Sequence, residues 1–318
     1  MDSLDVASLD AWTPIRVYGS AAEPLIDWAV IDAPFADAFF EQTVHRAMQH
    51  PFNQVFARTT PFDILDALAE TLPPIEPAGF VFHMSRCGST LIAQMLSALA
   101  DAIVLSEPQP LDGVLRLRRA GGLDDEATVP RFRAMVAALC GPHHGERRAF
   151  VKFHAWHVFD LPLIARAFPE TPWVFAFREP RAVLRSQAKL PGAEIVPGTI
   201  DPLLAGVEPG ALASVAPAEY CARMLAAFCV AALDNAAAGR TRFVAYESLP
   251  DTVFTEVLPF FGVTPTADET RRMRAVTTVD AKGEGSAFQP AVKPHVSPEI
   301  EQLAVQWLDP LYARLSQC

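Results

Sequence analysis

The amino-acid sequence predicts an α/β fold with three layers, in which helices cover both faces of a mostly parallel sheet. From Gly79 onward, short runs rich in β-branched and aromatic residues alternate with amphipathic stretches of helical length. The short runs are almost continuously apolar, as is typical of parallel strands buried on both faces. The predicted strands are 80–84, 102–106, 149–153, 173–177 and 242–246, and the predicted helices lie around 91–99, 161–168, 182–189 and 218–238.

The chain before this alternation has a different character. Residues 1–76 are predicted to form a helical and irregular extension that packs on the α/β domain formed by residues 77–318, and the proline-rich stretch "TLPPIEPAG" separates the two. Within the domain, residues 190–217 are rich in proline and glycine. Long irregular segments of enzymes often serve as a lid or an acceptor-binding loop, and a tolerated surface insertion is the alternative.

Composition excludes several classes of protein. The 318 residues carry a formal charge of −11, whereas a nucleic-acid binder needs a dense basic face. The longest apolar run, Met224 to Leu233, is about half the length that crosses a bilayer. The acidic N-terminus does not resemble a signal peptide, and the five cysteines follow no disulfide or zinc pattern. We therefore expect a cytoplasmic protein that binds neither nucleic acid nor membrane.

The stretch "FVFHMSRCGSTLIAQML" (80–96) has the form of an anion-binding loop. A strand leads to Ser85, Gly88 permits a tight turn, and a helix begins near Ser89 or Thr90. The free N–H groups of the first helical turn then face the carboxyl edge of the sheet. Arg86 adds a positive charge, and the hydroxyl groups add further donors.

This loop differs from the loop that binds nucleoside triphosphates. The pattern GxxxxGK[ST] requires a lysine after its second glycine and another glycine five positions before it. Here Ser89 follows Gly88, and His83 stands five positions before it. An ordinary ATP or GTP site is therefore disfavoured.

A second anion motif follows a later strand, in "WVFAFREPRAVLRSQ" (173–187). Arg178 ends the strand, Pro180 favours a helix start, and Ser186 lies on the helix. An arginine at a strand end and a hydroxyl group on the next helix can converge on one phosphate. The two motifs together predict a nucleoside ligand that carries anionic groups at both ends.

The segments "SRCGSTL" and "REPRAVLRS" resemble the two donor-binding motifs of sulfotransferases, which share a P-loop-kinase-like α/β fold and use 3′-phosphoadenosine 5′-phosphosulfate (PAPS) without a required metal. Arg86 makes the likeness closer to the bacterial and tyrosylprotein type than to the cytosolic type, which has a lysine there. The resemblance implies that Arg178 and Ser186 bind the 3′-phosphate. Through a weaker similarity, it also implies that Lys282 is a further phosphate contact. It also implies a set of residues at the 5′-phosphosulfate: Ser85, Arg86, Cys87, Gly88, Ser89 and Thr90.

Two residues are candidates for the catalytic base. Sulfuryl transfer resembles phosphoryl transfer, so positioning and charge stabilisation dominate, and the acceptor's proton must be removed. Glu107 follows the strand 102–106 and resembles the glutamate of tyrosylprotein sulfotransferases. "KFH" resembles the "KTH" of cytosolic members, which implies His154 as base and Lys152 as support for the sulfuryl group. Glu107 is favoured because Arg86 places the chain with the glutamate-using members.

The sequence thus predicts a sulfotransferase that acts on a hydroxyl or amine of a small-molecule or peptide acceptor. The alternatives are an atypical P-loop kinase that uses ATP and a non-catalytic protein that binds adenosine bisphosphate. A metal site at His154 and His157 is disfavoured, because a lone HxxH lacks further ligands. Arg116, Arg118 and Arg119 form either a solvated helix face or a site for an acidic acceptor.

Overall fold

The computed structural model describes residues 9–73, 75–141, 145–278 and 296–318, which form two sheets and the helices around them. The strands are β1 (Thr13–Gly19), β2 (Pro24–Ala29), β3 (Arg58–Pro61), β4 (Gly79–His83), β5 (Ala102–Ser106), β6 (Arg148–Lys152), β7 (Trp173–Phe177) and β8 (Thr241–Ala245). The α-helices are α1 (Phe40–Met48), α2 (Pro51–Val55), α3 (Ile64–Thr71), α4 (Ser89–Ser97), α5 (Gln109–Arg119), α6 (Asp125–Cys140), α7 (Leu161–Ala167), α8 (Pro180–Lys189), α9 (Pro217–Asp234), α10 (Leu258–Phe260), α11 (Ala267–Val276), α12 (Pro298–Leu303) and α13 (Asp309–Leu315).

The larger sheet has the strand order β5-β6-β4-β7-β8, and all its neighbouring strands run parallel. Each strand lies within one residue of the predicted run, so the predicted fold class is confirmed. Strands β4 and β7 are buried along their whole length, because helices cover both faces. The chain leaves central β4 for β5 on one side and later reaches β7 on the other. This change of direction opens a crevice at the carboxyl ends of the strands, where ligands of such sheets bind.

The N-terminal extension contains a sheet that the sequence analysis missed. Strands β1, β2 and β3 pair antiparallel in that order, so the description of residues 1–76 as helical and irregular is wrong for this part. In β1, buried Ile15 and Val17 flank exposed Arg16, but the pairing register shifts between Pro14 and Arg16. The alternation is therefore too short to be recognised in the sequence.

The extension packs on the α/β domain through β1 and α5. The Gln109 side-chain amide donates to the Val17 carbonyl (3.2 Å) and accepts from the Val17 N–H (3.0 Å). Gly113 lies so close to Val17 that a Cβ atom on this glycine would approach the valine Cβ to 2.4 Å. Close packing of the Val17 side chain on the α5 backbone thus requires glycine here. The boundary near residue 76 stays a prediction.

Three short helical turns lie in the segment 190–217. The 3₁₀-helices are Ala193–Ile195, Pro202–Ala205 and Pro209–Ser214. The segment begins where α8 ends, beside the loop that follows β4, because Arg86 Nη2 donates to the Leu190 carbonyl (2.6 Å). A role as lid or acceptor loop stays a prediction.

Candidate active site

The loop between β4 and α4 has a left-handed backbone at several positions. The φ angles are 74° at Ser85, 53° at Arg86 and 82° at Gly88. Only glycine adopts this region readily, and a non-glycine residue there costs about 1–3 kcal/mol. Two strained residues that precede a helix are a feature typical of ligand-binding turns, where the surrounding structure enforces the conformation.

The first turn of α4 is open to a cavity of about 130 Å³. Its N-cap is Gly88, and no side chain of the described residues caps it. The buried Ser89 and Thr90 line the cavity together with Arg86, so the predicted hydroxyl groups and the arginine lie together. The other lining residues include Phe39, His83, Ser85, Glu107, His154, Ala155, Trp156, Gly192 and Glu194.

Two residues of the loop, Cys87 and Gly88, pack against neighbouring parts of the protein. A Cβ atom on Gly88 would come within 2.6 Å of Leu249 Cδ1 and 2.9 Å of Tyr246 Cδ2, so larger residues do not fit. The buried Cys87 thiol donates to the Ala176 carbonyl (3.1 Å), which directs this side chain into the sheet. Only the backbone of Cys87 can therefore contact a ligand in this arrangement.

Glu107 lies in a cluster of ionisable groups at the carboxyl ends of β5 and β6. Its backbone, at φ 58°, is also left-handed, and its N–H donates to the Lys152 carbonyl (2.7 Å). The buried Lys152 ammonium contacts Glu107 Oε1, and His154 Nδ1 lies 3.3 Å from Oε2. Burial alone would raise the pKa of Glu107, but Lys152 and the hydrogen bonds from His154 and His83 lower this pKa well below its usual range. Glu107 is therefore a carboxylate at neutral pH.

The two candidate bases, Glu107 and His154, are thus direct neighbours. The His154 ring stacks on Trp156, with 4.3 Å between ring centroids and an interplanar angle of 7°. Trp156 Nε1 donates to Asp112 Oδ1, and His157 Nε2 lies at the same distance, 2.9 Å, from that oxygen. Burial lowers the pKa of His157 to about 4, so this ring is neutral at pH 7. Asp112 thus fixes Trp156 through a hydrogen bond, and the stack on Trp156 holds the His154 ring in place.

The second motif reaches the first loop through its arginine. Arg178 follows β7, its guanidinium carbon lies 3.9 Å from the Tyr246 ring centroid, and Nη1 donates to the Arg86 carbonyl (3.3 Å). Ser186 is half-buried on α8 and does not line the cavity. Lys282 lies outside the described residues.

Sequence reasoning missed two residues that contact this site, Glu194 and His83. Glu194, only 8% exposed, accepts hydrogen bonds from the Ser85 hydroxyl and from Gln187 Nε2 (3.0 Å). His83 accepts from the Ser85 N–H through Nδ1 (3.0 Å). An acidic residue in a loop is usually solvated and a histidine in a strand usually belongs to the core, so neither position was distinctive. A polar residue at the end of the central strand was the one available signal for His83.

The arginine cluster on α5 is engaged within the protein. Arg116 donates to the Val17 carbonyl (3.0 Å), Arg118 donates to Asp125 (2.6 Å), and Arg119 contacts the buried Asp160. Arg116 and Arg119 are exposed and Arg118 is half-buried, which agrees with a solvated helix face whose arginines also pair within the protein. A site for an acidic acceptor stays a prediction.

The described residues contain no group of three or more histidine, cysteine, aspartate or glutamate side chains arranged to hold a metal ion. Within the same residues, every helix is too short or too polar to traverse a bilayer.

Comparison with known proteins gives matches in structure only. No protein-family profile matches the sequence, and no curated protein matches it. Sulfotransferase STF9 from Mycobacterium avium matches with a TM-score of 0.47 and 13% identity, over 86% of this chain and 81% of that one. A sulfotransferase from Alicyclobacillus acidocaldarius matches with a TM-score of 0.45 and 16% identity, over 76% and 95%. The sulfotransferase domain from the curacin biosynthetic pathway matches with a TM-score of 0.42 and 14% identity, over 74% of this chain and 98% of that one. At these values, no residue role or activity is transferred from those proteins to this chain.

Proposed function

We propose that the protein is a sulfotransferase that moves a sulfuryl group from PAPS to a hydroxyl or amine of a small-molecule or peptide acceptor. One observation carries the proposal: the uncapped first turn of α4 and Arg86 face the same cavity as the ionised carboxylate of Glu107. Anion binding and proton removal are the two tasks that this reaction requires of the protein.

The residues at the carboxyl edge of the sheet suit a donor with two anionic ends. Backbone N–H groups of the α4 turn, the hydroxyl groups of Ser89 and Thr90, and Arg86 would bind the 5′-phosphosulfate. Arg178 would bind the 3′-phosphate together with Ser186. The contact between Arg178 Nη1 and the Arg86 carbonyl supports a single continuous donor site.

The chemistry follows from these positions. The acceptor oxygen or nitrogen forms a bond to sulfur while the bond from sulfur to the bridging oxygen of the donor breaks. Arg86 stabilises the charge that develops on this oxygen. Glu107, or His154 beside it, takes the acceptor's proton. Lys152 keeps Glu107 ionised and would also support the sulfuryl group.

Ligand binding tests the proposal. We expect adenosine 3′,5′-bisphosphate to bind in calorimetry, and ATP with magnesium to bind at least tenfold more weakly. Binding of ATP with magnesium without binding of the bisphosphate would contradict the proposal and favour a kinase.

We also propose that the protein acts in the cytoplasm, where this donor would be available to it.

Transfer of radioactive sulfate from PAPS to a panel of hydroxyl and amine acceptors tests catalysis. Glu107→Gln and His154→Asn, alone and combined, identify the base. We expect the combined variant to lose at least a hundredfold in kcat, in line with general base catalysis. Bisphosphate binding without transfer to any acceptor would favour the non-catalytic alternative.

A further inference from the structure

We propose that His83 is a positioning residue that fixes the anion loop and the carboxylate of Glu107 in one arrangement. The role rests on the proposed sulfotransferase function. His83 ends β4, the central strand from which the anion loop departs, and its side chain is buried. The ring contacts groups on both sides of the cavity.

On the loop side, the Ser85 N–H donates to His83 Nδ1 (3.0 Å). Ser85 is the first left-handed residue of the loop, with a φ angle of 74°. A buried acceptor two residues earlier satisfies an N–H group that this turn removes from the ladder of the sheet. The histidine ring thereby stabilises a backbone conformation that serine alone disfavours.

On the opposite side, His83 Nε2 lies 3.0 Å from the Phe153 carbonyl and 3.4 Å from Glu107 Oε1. Because Nδ1 accepts a hydrogen bond, the proton of the neutral ring resides on Nε2 and faces these two oxygens. Burial lowers the pKa of His83, and the nearby Lys152 ammonium lowers it further, so the ring stays neutral.

Sheet topology makes this bridge informative. Strand β6 separates β4 from β5, so no ladder hydrogen bond joins the strand that carries the loop to the strand that carries Glu107. The His83 ring joins the ends of these three strands through the Ser85 N–H, the Phe153 carbonyl and Glu107. A shift of the anion loop would therefore displace the His83 ring and the hydrogen bond that it donates to Glu107. A histidine that only packs in the core would not couple the loop to Glu107 in this way.

Two amide variants of His83 separate its hydrogen bond with the Ser85 N–H from its contact with Glu107. Asparagine places its side-chain oxygen near the position of Nδ1, so His83→Asn keeps the Ser85 bond and loses the Glu107 contact. Glutamine places its amide nitrogen near Nε2, so His83→Gln keeps the Glu107 contact and loses the Ser85 bond. The two variants serve as matched controls for each other.

We expect His83→Asn to bind adenosine 3′,5′-bisphosphate within about threefold of wild type while its kcat falls about 10- to 100-fold. The acid limb of its pH–rate profile should also move to higher pH, because Glu107 loses a hydrogen bond that lowers its pKa. We expect His83→Gln to bind the bisphosphate about tenfold more weakly and to keep more of its kcat at saturating donor. Equal effects of the two variants on affinity and kcat would overturn the proposal.

Hydrogen exchange at the Ser85 amide provides a readout that needs no ligand. We expect exchange at least tenfold faster in His83→Gln than in His83→Asn, with similar unfolding free energies for the two variants. Unchanged exchange in His83→Gln would overturn the proposal. A wild-type protein that binds no bisphosphate would instead overturn the proposed function, and the exchange experiment would still decide whether His83 holds the loop.

Discussion

The amino ends of α4 and α8 face the same edge of the sheet but differ in how their backbone N–H groups are satisfied. Within the described chain, no side chain caps α4, and its N-cap residue Gly88 is left-handed. At α8, the Glu179 carboxylate accepts from the N–H groups of Arg181 (3.0 Å) and Ala182 (2.8 Å). The first helix leaves its positive end free, whereas the second already holds a negative charge there.

This difference divides the work of the two motifs. An uncapped helix end beside strained residues suits the backbone-based binding of an anion, as at α4. At α8 the Glu179 cap already occupies the helix end, so under the proposed function the motif would act through the side chains of Arg178 and Ser186. Backbone and side-chain recognition respond differently to substitution, and this makes the comparison testable.

The largest effect is expected for Arg86→Ala. The proposed function places the guanidinium group beside the transferred sulfuryl group, so its loss should lower kcat about 10²- to 10³-fold, as for other groups that stabilise developing charge. Arg86→Lys keeps the charge but lacks the planar guanidinium group, so its kcat should lie between those of the wild type and of Arg86→Ala. Steady-state transfer at saturating donor measures both variants. If Arg86→Ala keeps more than a tenth of wild-type kcat, then the first loop does not face the reacting group.

Arg178→Ala should weaken binding of adenosine 3′,5′-bisphosphate about 10- to 100-fold, because a charge-assisted hydrogen bond contributes about 1.5–3 kcal/mol. Adenosine 5′-monophosphate lacks the 3′-phosphate, so its affinity should stay within about twofold. Calorimetry with both nucleotides makes the comparison. Equal losses for the two nucleotides would place Arg178 at the 5′ end and abolish the division between the motifs.

Glu194→Gln should tighten bisphosphate binding about three- to tenfold. Its carboxylate accepts from the Ser85 hydroxyl in the anion loop, where a negative charge repels an anionic ligand. Glutamine keeps an acceptor oxygen at this position. Glu208→Gln, an exposed position in the same segment, is the matched control and should change nothing. Weaker binding by Glu194→Gln would instead mean that its charge helps to build the loop.

The smallest effect is expected for Glu179→Ala. Loss of the cap should lower the free energy of unfolding by about 1 kcal/mol, as for other helix caps, with bisphosphate affinity unchanged within about twofold. Urea denaturation and calorimetry provide the two measurements. A loss of affinity as large as that of Arg178→Ala would show that the end of α8 contributes to binding after all.

The sequence was sufficient to predict the five-stranded sheet and the residues that follow its strands, such as Arg86 and Glu107. Strands such as β4 and β7 are apolar throughout because both faces are buried, and the carboxyl-end rule then placed Arg86 and Glu107 at one edge. The contact between Ser85 and Glu194 joins residues 109 positions apart, and no local pattern encodes it. Lys152 was expected at the sulfuryl group, and its contact with Glu107 likewise arises only when β5 and β6 align.

The contact between Val17 and Gln109 has a consequence for synthesis of the chain. Strand β1 lies at the edge of its sheet, and the Gln109 amide satisfies the Val17 N–H and carbonyl much as a neighbouring strand would. These residues are 92 positions apart, so a ribosome working at about 5–20 residues per second exposes the open edge for on the order of ten seconds. An unpaired strand edge can pair with another copy of the chain, so we expect a chaperone that shields β1 during this interval to raise the yield of folded protein.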